Sequence, residues 1–556
     1  MEEKDKNRFK FLSQTFFLGW GFSCFFLLTT LINTLNIHFS TIASGAIREF
    51  KVNIVFFNPT LDKIIGFTFP IFLVIFLLKK RSLSTEKSLQ TFFTYLMLPM
   101  VFVEASSLFG WILDGFIHRF TVLHPKIGWY PSFIEVQFFN VFYPILAPLT
   151  LLALFSFILK LGFSFLSEKV SQENFFFSNL TSKFLLFVSV LAGFFVCFYP
   201  LLPAVNPKQI VFGADIPPYR DVIEKLFSLG YLGMLKTPNA FFRERIVYHT
   251  FQYLIILLTP ASITQTLQFT STILAVLLVL AVYFFVRVGA KSDFTAGCSA
   301  FFTAFSFNVL AGLISAIYSN WFALVEVYIF LGLYLLAVEK KKKLFLVLSA
   351  LVSVLILYTH SWTWSFIMVV LGLYFLLNLW YTKFEGLKSG REWELKALIF
   401  IFTINVFFNL LKKLCFSIPG GVEASYTVTS SFFDFSYLFL IREIIGETLK
   451  AKVGGFFANP LIYILSVIGV CFMSNHKNRF HQILFLWLMV GCGTFIFSGN
   501  LQWRVLYVIP FPIYSALGII AILKLFNIKN KTLLLLLVYL AMANYGFRSA
   551  INIIPT

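Results

Sequence analysis

Residues 205–247 read VNPKQIVFGADIPPYRDVIEKLFSLGYLGMLKTPNAFFRERIV. No longer charged segment separates two strongly apolar ones in this chain. It carries Asp215, Arg220, Asp221, Glu224, Arg243, Glu244 and Arg245, with prolines at 207, 217, 218 and 238. Within it, "PPYRDVIEKLFSLG" reads as an amphipathic helix that Pro217 and Pro218 open and Gly230 ends. Val222, Leu226 and Leu229 share one face, and Asp221, Glu224 and Lys225 lie largely on the other. Such a helix is expected to lie along a membrane surface. Asp215 is then held just before its start, in a Gly-containing turn at the bilayer boundary.

The composition around this loop sets the class. Of 556 residues, 59% are hydrophobic and only 12% charged, with a mean hydropathy of +0.85. A soluble domain lacks the interior to absorb that much apolar residue. Many apolar runs reach the roughly 18–20 residues that cross a bilayer. The expected class is therefore all-α, a polytopic transmembrane helical bundle. The net charge of +19 reads as the cytoplasmic bias of Lys and Arg and attraction to anionic lipid, so membrane lipids rather than nucleic acid are the expected partner. The six cysteines include no Cys-x-x-Cys pair and lie mostly in apolar runs, which reads as packing rather than a disulfide or zinc framework.

Runs bounded by charge give about 15 spans (range 13–16): near 13–36, 64–78, 90–113, 138–165, 183–204, 264–286, 294–315, 321–338, 344–359, 362–381, 396–411, 460–474, 482–498, 505–526 and 532–547. The basic N-terminus leads into an apolar run too long for a signal-peptide core, so an uncleaved anchor with a cytoplasmic N-terminus is expected. Basic clusters at 79–81, 340–343, 383–396, 477–479 and 524–531 then all fall inside. Loops 37–63, 114–137, 205–247, 412–459 and 498–504 fall outside. The polar linker 167–183 divides a four-span unit, 1–170, from a larger module, 183–548. The expected location is a prokaryotic plasma membrane, with the active face outside.

Several polar residues meet at that outer face. Asp215 precedes the loop helix, with Tyr219 and Arg220 on its first turn. His360 closes "LVSVLILYTH"; Glu423 and Asp434 lie in loop 412–459; Gln502 and Arg504 open a late span in "SGNLQWRVLYVIPFPIY". The set suits glycosyl transfer from a lipid phosphate. A carboxylate, Asp215, takes a proton from the acceptor or positions it, and is the ligand of a divalent metal if one takes part. Arginine, at Arg504 and Arg220, matches phosphate with two charge-assisted hydrogen bonds. His360, with Tyr219, Gln502 and Glu423, would orient donor or acceptor. Glu326 stands inside a predicted span, where a carboxylate is costly.

The chain from about 183 to 548 resembles the integral-membrane glycosyltransferases of the C superfamily. "VFGADIPPYRDVIEKL" (211–226) looks like their first-loop acid motif, "YSNWFALVEVYIFLGLYLL" (318–336) like their mid-module span, and "WRVLYVIPFPIYSALGI" (503–519) like their late Arg-x-Leu-Tyr…Pro span. The resemblance implies a sugar taken from a polyprenyl- or dolichyl-phosphate donor on the outer face, usually with inversion. It places Asp215 as the acid and Arg504 as the phosphate contact. Asp215 has no acidic neighbour before Asp221, where many members carry two adjacent acids. The Trp-Trp-Asp signature of oligosaccharyltransferases is absent, so asparagine glycosylation is not expected.

The function read from the sequence is thus a membrane glycosyltransferase with a lipid, glycan or protein acceptor. One alternative is a transporter or flippase of lipid-linked sugars, which would show polar residues deep in several spans and discontinuous helices. The other is a non-catalytic membrane scaffold.

Overall fold

A computed structural model describes residues 179–416, 465–473, 478–497, 507–525 and 531–551, short internal gaps aside. The predicted unit 1–170 lies outside them. Helices make up 89% of the described residues and none is in a strand, so the class is all-α. Contacts divide the chain into two compact units. The larger holds the described residues of 179–416, 478–513 and 549–551; the smaller holds those of 465–473 and 514–548.

The larger unit begins with α1 (Asn179–Phe198). The loop helices follow: α2 (Ile216–Lys236), the short α3 (Ala240–Glu244) and α4 (Ile246–Leu258). Then come α5 (Ile263–Ala290), α6 (Asp293–Ala304), α7 (Phe307–Ser315), α8 (Tyr318–Lys340), α9 (Lys343–Thr359), α10 (Ser361–Phe384), α11 (Lys388–Phe416) and α12 (Arg479–Phe497). Among the described residues, six segments are long and apolar enough to cross a bilayer: Ser182–Leu201, Ile263–Ala290, Asp293–Ser315, Tyr318–Lys340, Ser361–Thr382 and Arg391–Cys415. The chain is a membrane protein. Helix α9, with 17 residues, falls short of that length.

The polar punctuation in the sequence sets the connections. Ser262 and Gln265 form a reciprocal capping box at the start of α5. Ser292 and Ser306 cap α6 and α7 through their side-chain oxygens. Lys291, Ala316 and Lys341 take left-handed backbone angles and turn the chain back on itself. Because the connections are so short, successive helix ends alternate between two ends of the bundle. One end gathers α2 to α4, the α7–α8 corner, the α9–α10 turn and the last turn of α11; we call it the loop end. At the other end, Arg287 pairs with Asp293 at 2.7 Å and Lys291 with Glu339 at 2.8 Å.

Helix α8 is the central element, packed against α5 and α9, with Tyr318, Trp321, Val327 and Tyr334 wholly buried. Helices α1 and α11 instead expose apolar side chains such as Phe184, Phe187, Val406 and Leu410, as lipid-facing elements do. Far from the loop end, Glu394 on α11 is fully buried. It accepts from Arg479 Nε of α12 at 2.8 Å and from the hydroxyls of Tyr374 and Tyr334. Of the described cysteines, Cys197 and Cys298 are buried, and Cys415, in the last turn of α11, is exposed.

The smaller unit includes α13 (Phe511–Leu525) from Tyr514 onward and α14 (Lys531–Ile551) as far as Arg548. Ser466 and Ser515 share a hydrogen bond at 2.9 Å there.

The loop helix departs from its predicted form in two ways. Val222 and Leu226 do not face a membrane. They are buried with Ile223 and Met234 against Phe242 of α3 and Ile256 of α4, because α3 and α4 fold back to supply an apolar surface closer than lipid. Leu229 is half exposed. Gly230 does not end the helix; with φ of 68° it makes a kink, and helical structure continues to Lys236.

Candidate functional site

The loop end brings several polar side chains of the sequence reading together. Asp215 takes the N-cap position of α2, with φ of −91° and ψ of 1°, and its side chain makes no cap bond to the helix. Its backbone N–H donates to the Ser315 carbonyl at 3.1 Å, which fixes the turn against the α7–α8 corner. Gly213, at φ of 122°, passes so close to that corner that a Cβ there would sit 2.6 Å from the Ala316 Cβ. Only glycine fits.

One turn into α2, Tyr219 is buried. Its hydroxyl shares a hydrogen bond with Ser319 Oγ at 3.0 Å and accepts from the Ser319 N–H at 3.2 Å. Burial pushes this hydroxyl above its ordinary range, with the Arg245 charge acting against that rise and the Asp215 charge adding to it. Tyr219 is thus a neutral hydrogen-bonding group that feels one negative and one positive side-chain charge.

The next residue, Asn320, reaches the other side. Its Oδ1 accepts from Thr363 Oγ1 at 2.7 Å, and Thr363 Oγ1 is 2.8 Å from His360 Nδ1. Just before His360, Thr359 donates to Glu326 Oε1 at 3.0 Å. Two consecutive residues of α8 therefore join the helix that follows Asp215 to the turn that carries His360. Two helical turns further along α8, Glu326 extends this seam; its Oε2 is buried without a hydrogen-bond partner among the described residues.

Lys412 locks the same turn. It is nearly fully buried, and its ammonium donates to the Leu357 carbonyl at 2.7 Å, Ser361 Oγ at 2.6 Å and the Glu244 carbonyl at 3.3 Å. All three of its protons are used. The sequence placed Lys412 at the start of an outer loop; α11 instead continues to Phe416.

The other sequence candidates lie elsewhere. Arg220 is exposed and ion-paired with Glu224 at 2.6 Å along one face of α2. Gln502, Arg504, Glu423 and Asp434 lie outside the described residues. Tyr507, three positions after Arg504, is buried; it donates to the Asn308 carbonyl at 3.0 Å, and the Asn308 amide donates to its carbonyl. Asn405, another deep polar residue, bridges Trp364 Nε1 and Ser353 Oγ at 2.7 Å each. Both asparagines serve helix packing.

Arg245 was missed by the sequence reading. It stands at the α3–α4 joint with its guanidinium 4.0 Å over the Phe241 ring. Nothing in "RERIV" distinguishes it from Arg243, since the distinction arises only when α3 ends. As to a metal, no group of three His, Cys, Asp or Glu side chains converges among the described residues. The described tyrosines and arginine about Asp215 are not hard-cation ligands. Comparison with known proteins finds no family model that matches the chain and no curated protein that matches it.

Proposed function

We propose that the chain is a membrane glycosyltransferase. It transfers a sugar from a polyprenyl- or dolichyl-phosphate donor to a lipid, glycan or protein acceptor on the extracytoplasmic face. One observation carries the reading: Ser319 and Asn320 tie the helix after Asp215 to the turn of His360, so a carboxylate and an imidazole are held at one end of a bilayer-crossing bundle. In this reading Asp215 takes the proton of the acceptor hydroxyl. The freed oxygen bonds to the sugar's C1 as the C1–O bond to phosphate breaks, and the lipid phosphate leaves with the bonding electrons. Arg504 and Arg220 are the proposed phosphate contacts; His360 and Tyr219, with Gln502 and Glu423, orient the sugars.

The test is transfer by the purified protein in lipid, offered labelled polyprenyl- and dolichyl-phosphate sugars. Wild type should release lipid phosphate and labelled product. Asp215→Asn should lower the rate about 10²–10⁴-fold, the usual contribution of a general base, with its unfolding temperature unchanged. Equal rates would remove Asp215 from this role.

A second reading is favoured by a specific feature. The span Asp293–Ser315 is broken, α6 ending at Ala304 and α7 beginning at Phe307. Discontinuous helices mark substrate sites in transporters. A flippase of lipid-linked sugars would move a fluorescent donor between leaflets of reconstituted vesicles without releasing lipid phosphate.

A further inference from the structure

We infer that the α3–α4 joint is an anion pocket, in which Arg245, the first turn of α4 and the His249 ring bind a phosphate group. Assigning that phosphate to a lipid donor rests on the transferase reading above; the pocket itself does not.

Three observations meet there. First, Arg245 is the N-cap of the 13-residue α4 and makes no side-chain bond to its first turn. Those N–H groups have no side-chain cap, and a helix N-terminus carries partial positive charge that favours an anion. Second, His249, in the same turn, is wholly buried. Its ring lies 5.6 and 5.8 Å from the rings of Phe241 and Phe242 on α3, so it faces the joint. Neither ring nitrogen has a partner at full hydrogen-bond geometry, the Phe241 carbonyl being the one acceptor that acts on the ring. Burying such a group unsatisfied costs about 1–3 kcal/mol, which implies a missing partner.

Third, the joint holds two cations, Arg245 and Lys412, against the single nearby carboxylate of Glu244, whose charge acts on Lys412. Arg245 Nε is buried and unbonded, and the guanidinium stacks on Phe241, which aims its planar fork. No carboxylate among the described residues pairs with it. Lys412, bonded to the Glu244 carbonyl beside it, has no proton left to donate and adds charge alone. A guanidinium fork, free backbone N–H groups and one imidazole N–H match the three oxygens of a phosphate. The charges of both Arg245 and Asp215 act on Tyr219, so an anion held at Arg245 sits beside the proposed acid.

The experiment uses the full chain in nanodiscs of neutral lipid. Binding of three probes is measured: a short polyprenyl monophosphate, inorganic phosphate, and the unphosphorylated polyprenol. Arg245→Gln and Arg245→Lys are compared with wild type, and Arg287→Gln, at the opposite end, serves as the control. Saturable binding of the polyprenyl phosphate, weakened tenfold or more by Arg245→Gln and unchanged by Arg287→Gln, is the expected result, with the polyprenol not bound. Arg245→Lys keeps the charge but not the fork and should fall between; it decides the matter should the glutamine variant not fold. Inorganic phosphate binding as tightly, with the same Arg245 dependence, upholds the pocket and assigns it free phosphate. Binding indifferent to both Arg245 variants overturns the inference. Arg245-dependent binding without sugar transfer from any donor would sink the transferase reading and leave the pocket standing.

Discussion

Tyr219 decides how the loop is held. Among the described residues its hydroxyl is the only atom through which α2 bonds Ser319, and it is buried. Tyr219→Phe leaves the Ser319 N–H and hydroxyl without it, at a cost of about 1–3 kcal/mol. Thermal unfolding in detergent should show the loss, and an unchanged midpoint would mean that α2 is held by packing alone. His249 makes a pH prediction. Burial first, then the Arg245 charge, lowers its pKa from 6.5 to about 3. As pH falls, the unfolded chain therefore binds the proton first. The stability that His249 contributes is whole above about pH 6.5 and is lost as pH falls from there through about 3. Replacing it by Gln should flatten the decline of unfolding temperature over that window, relative to wild type.

At the scale of elements, the two glycines of the loop behave differently. A Cβ at Gly230 would meet nothing within 4 Å, so Gly230→Ala carries only the strain of a backbone region that is nearly confined to glycine, about 1–3 kcal/mol. At Gly213 a Cβ meets Ala316 as well. Gly213→Ala must push the Asp215 turn off the α7–α8 corner, and should lower transfer by tenfold or more where Gly230→Ala leaves it within about threefold. Similar rates for the two variants would show that the corner does not position Asp215. These elements also mark what the sequence made legible. Pro217 and Pro218 announced the start of α2 and hence the place of Asp215, because proline acts locally. The fate of Val222 and Leu226 was hidden, because one apolar face serves lipid or a returning helix equally well. Ser319 and Asn320 were unreadable as a clamp, since their partners lie 100 and 43 residues away. Lys412 looked like loop charge, and only its three acceptors give it a role.

Across the whole larger unit, the two ends divide the work. The loop end holds the polar seam. At the far end Glu394 joins α11 to α12 through Arg479 and to α8 and α10 through two tyrosines. Glu394→Gln removes one charge of a largely buried pair. It should destabilise by about 2–3 kcal/mol, at or below the low end for buried pairs because Arg479 keeps some water contact. The folded fraction should turn over substrate at the wild-type rate, since about 23 Å of α8, from Ser319 to Tyr334, separates this pair from the helix that follows Asp215. A rate that fell with stability intact would show the two ends to be coupled.

The exposure of Cys415 gives a way to ask which side of the membrane the chemistry faces. It stands three residues beyond Lys412, at the end that holds Asp215, while Cys197 and Cys298 are shielded. A thiol reagent that cannot cross lipid, added to intact cells, should label the native chain at this position when that end faces outward. The signal should vanish in Cys415→Ser. Labelling that appears only after the cells are opened would turn the protein over in its membrane, and bring the proposed donor to the cytoplasmic leaflet.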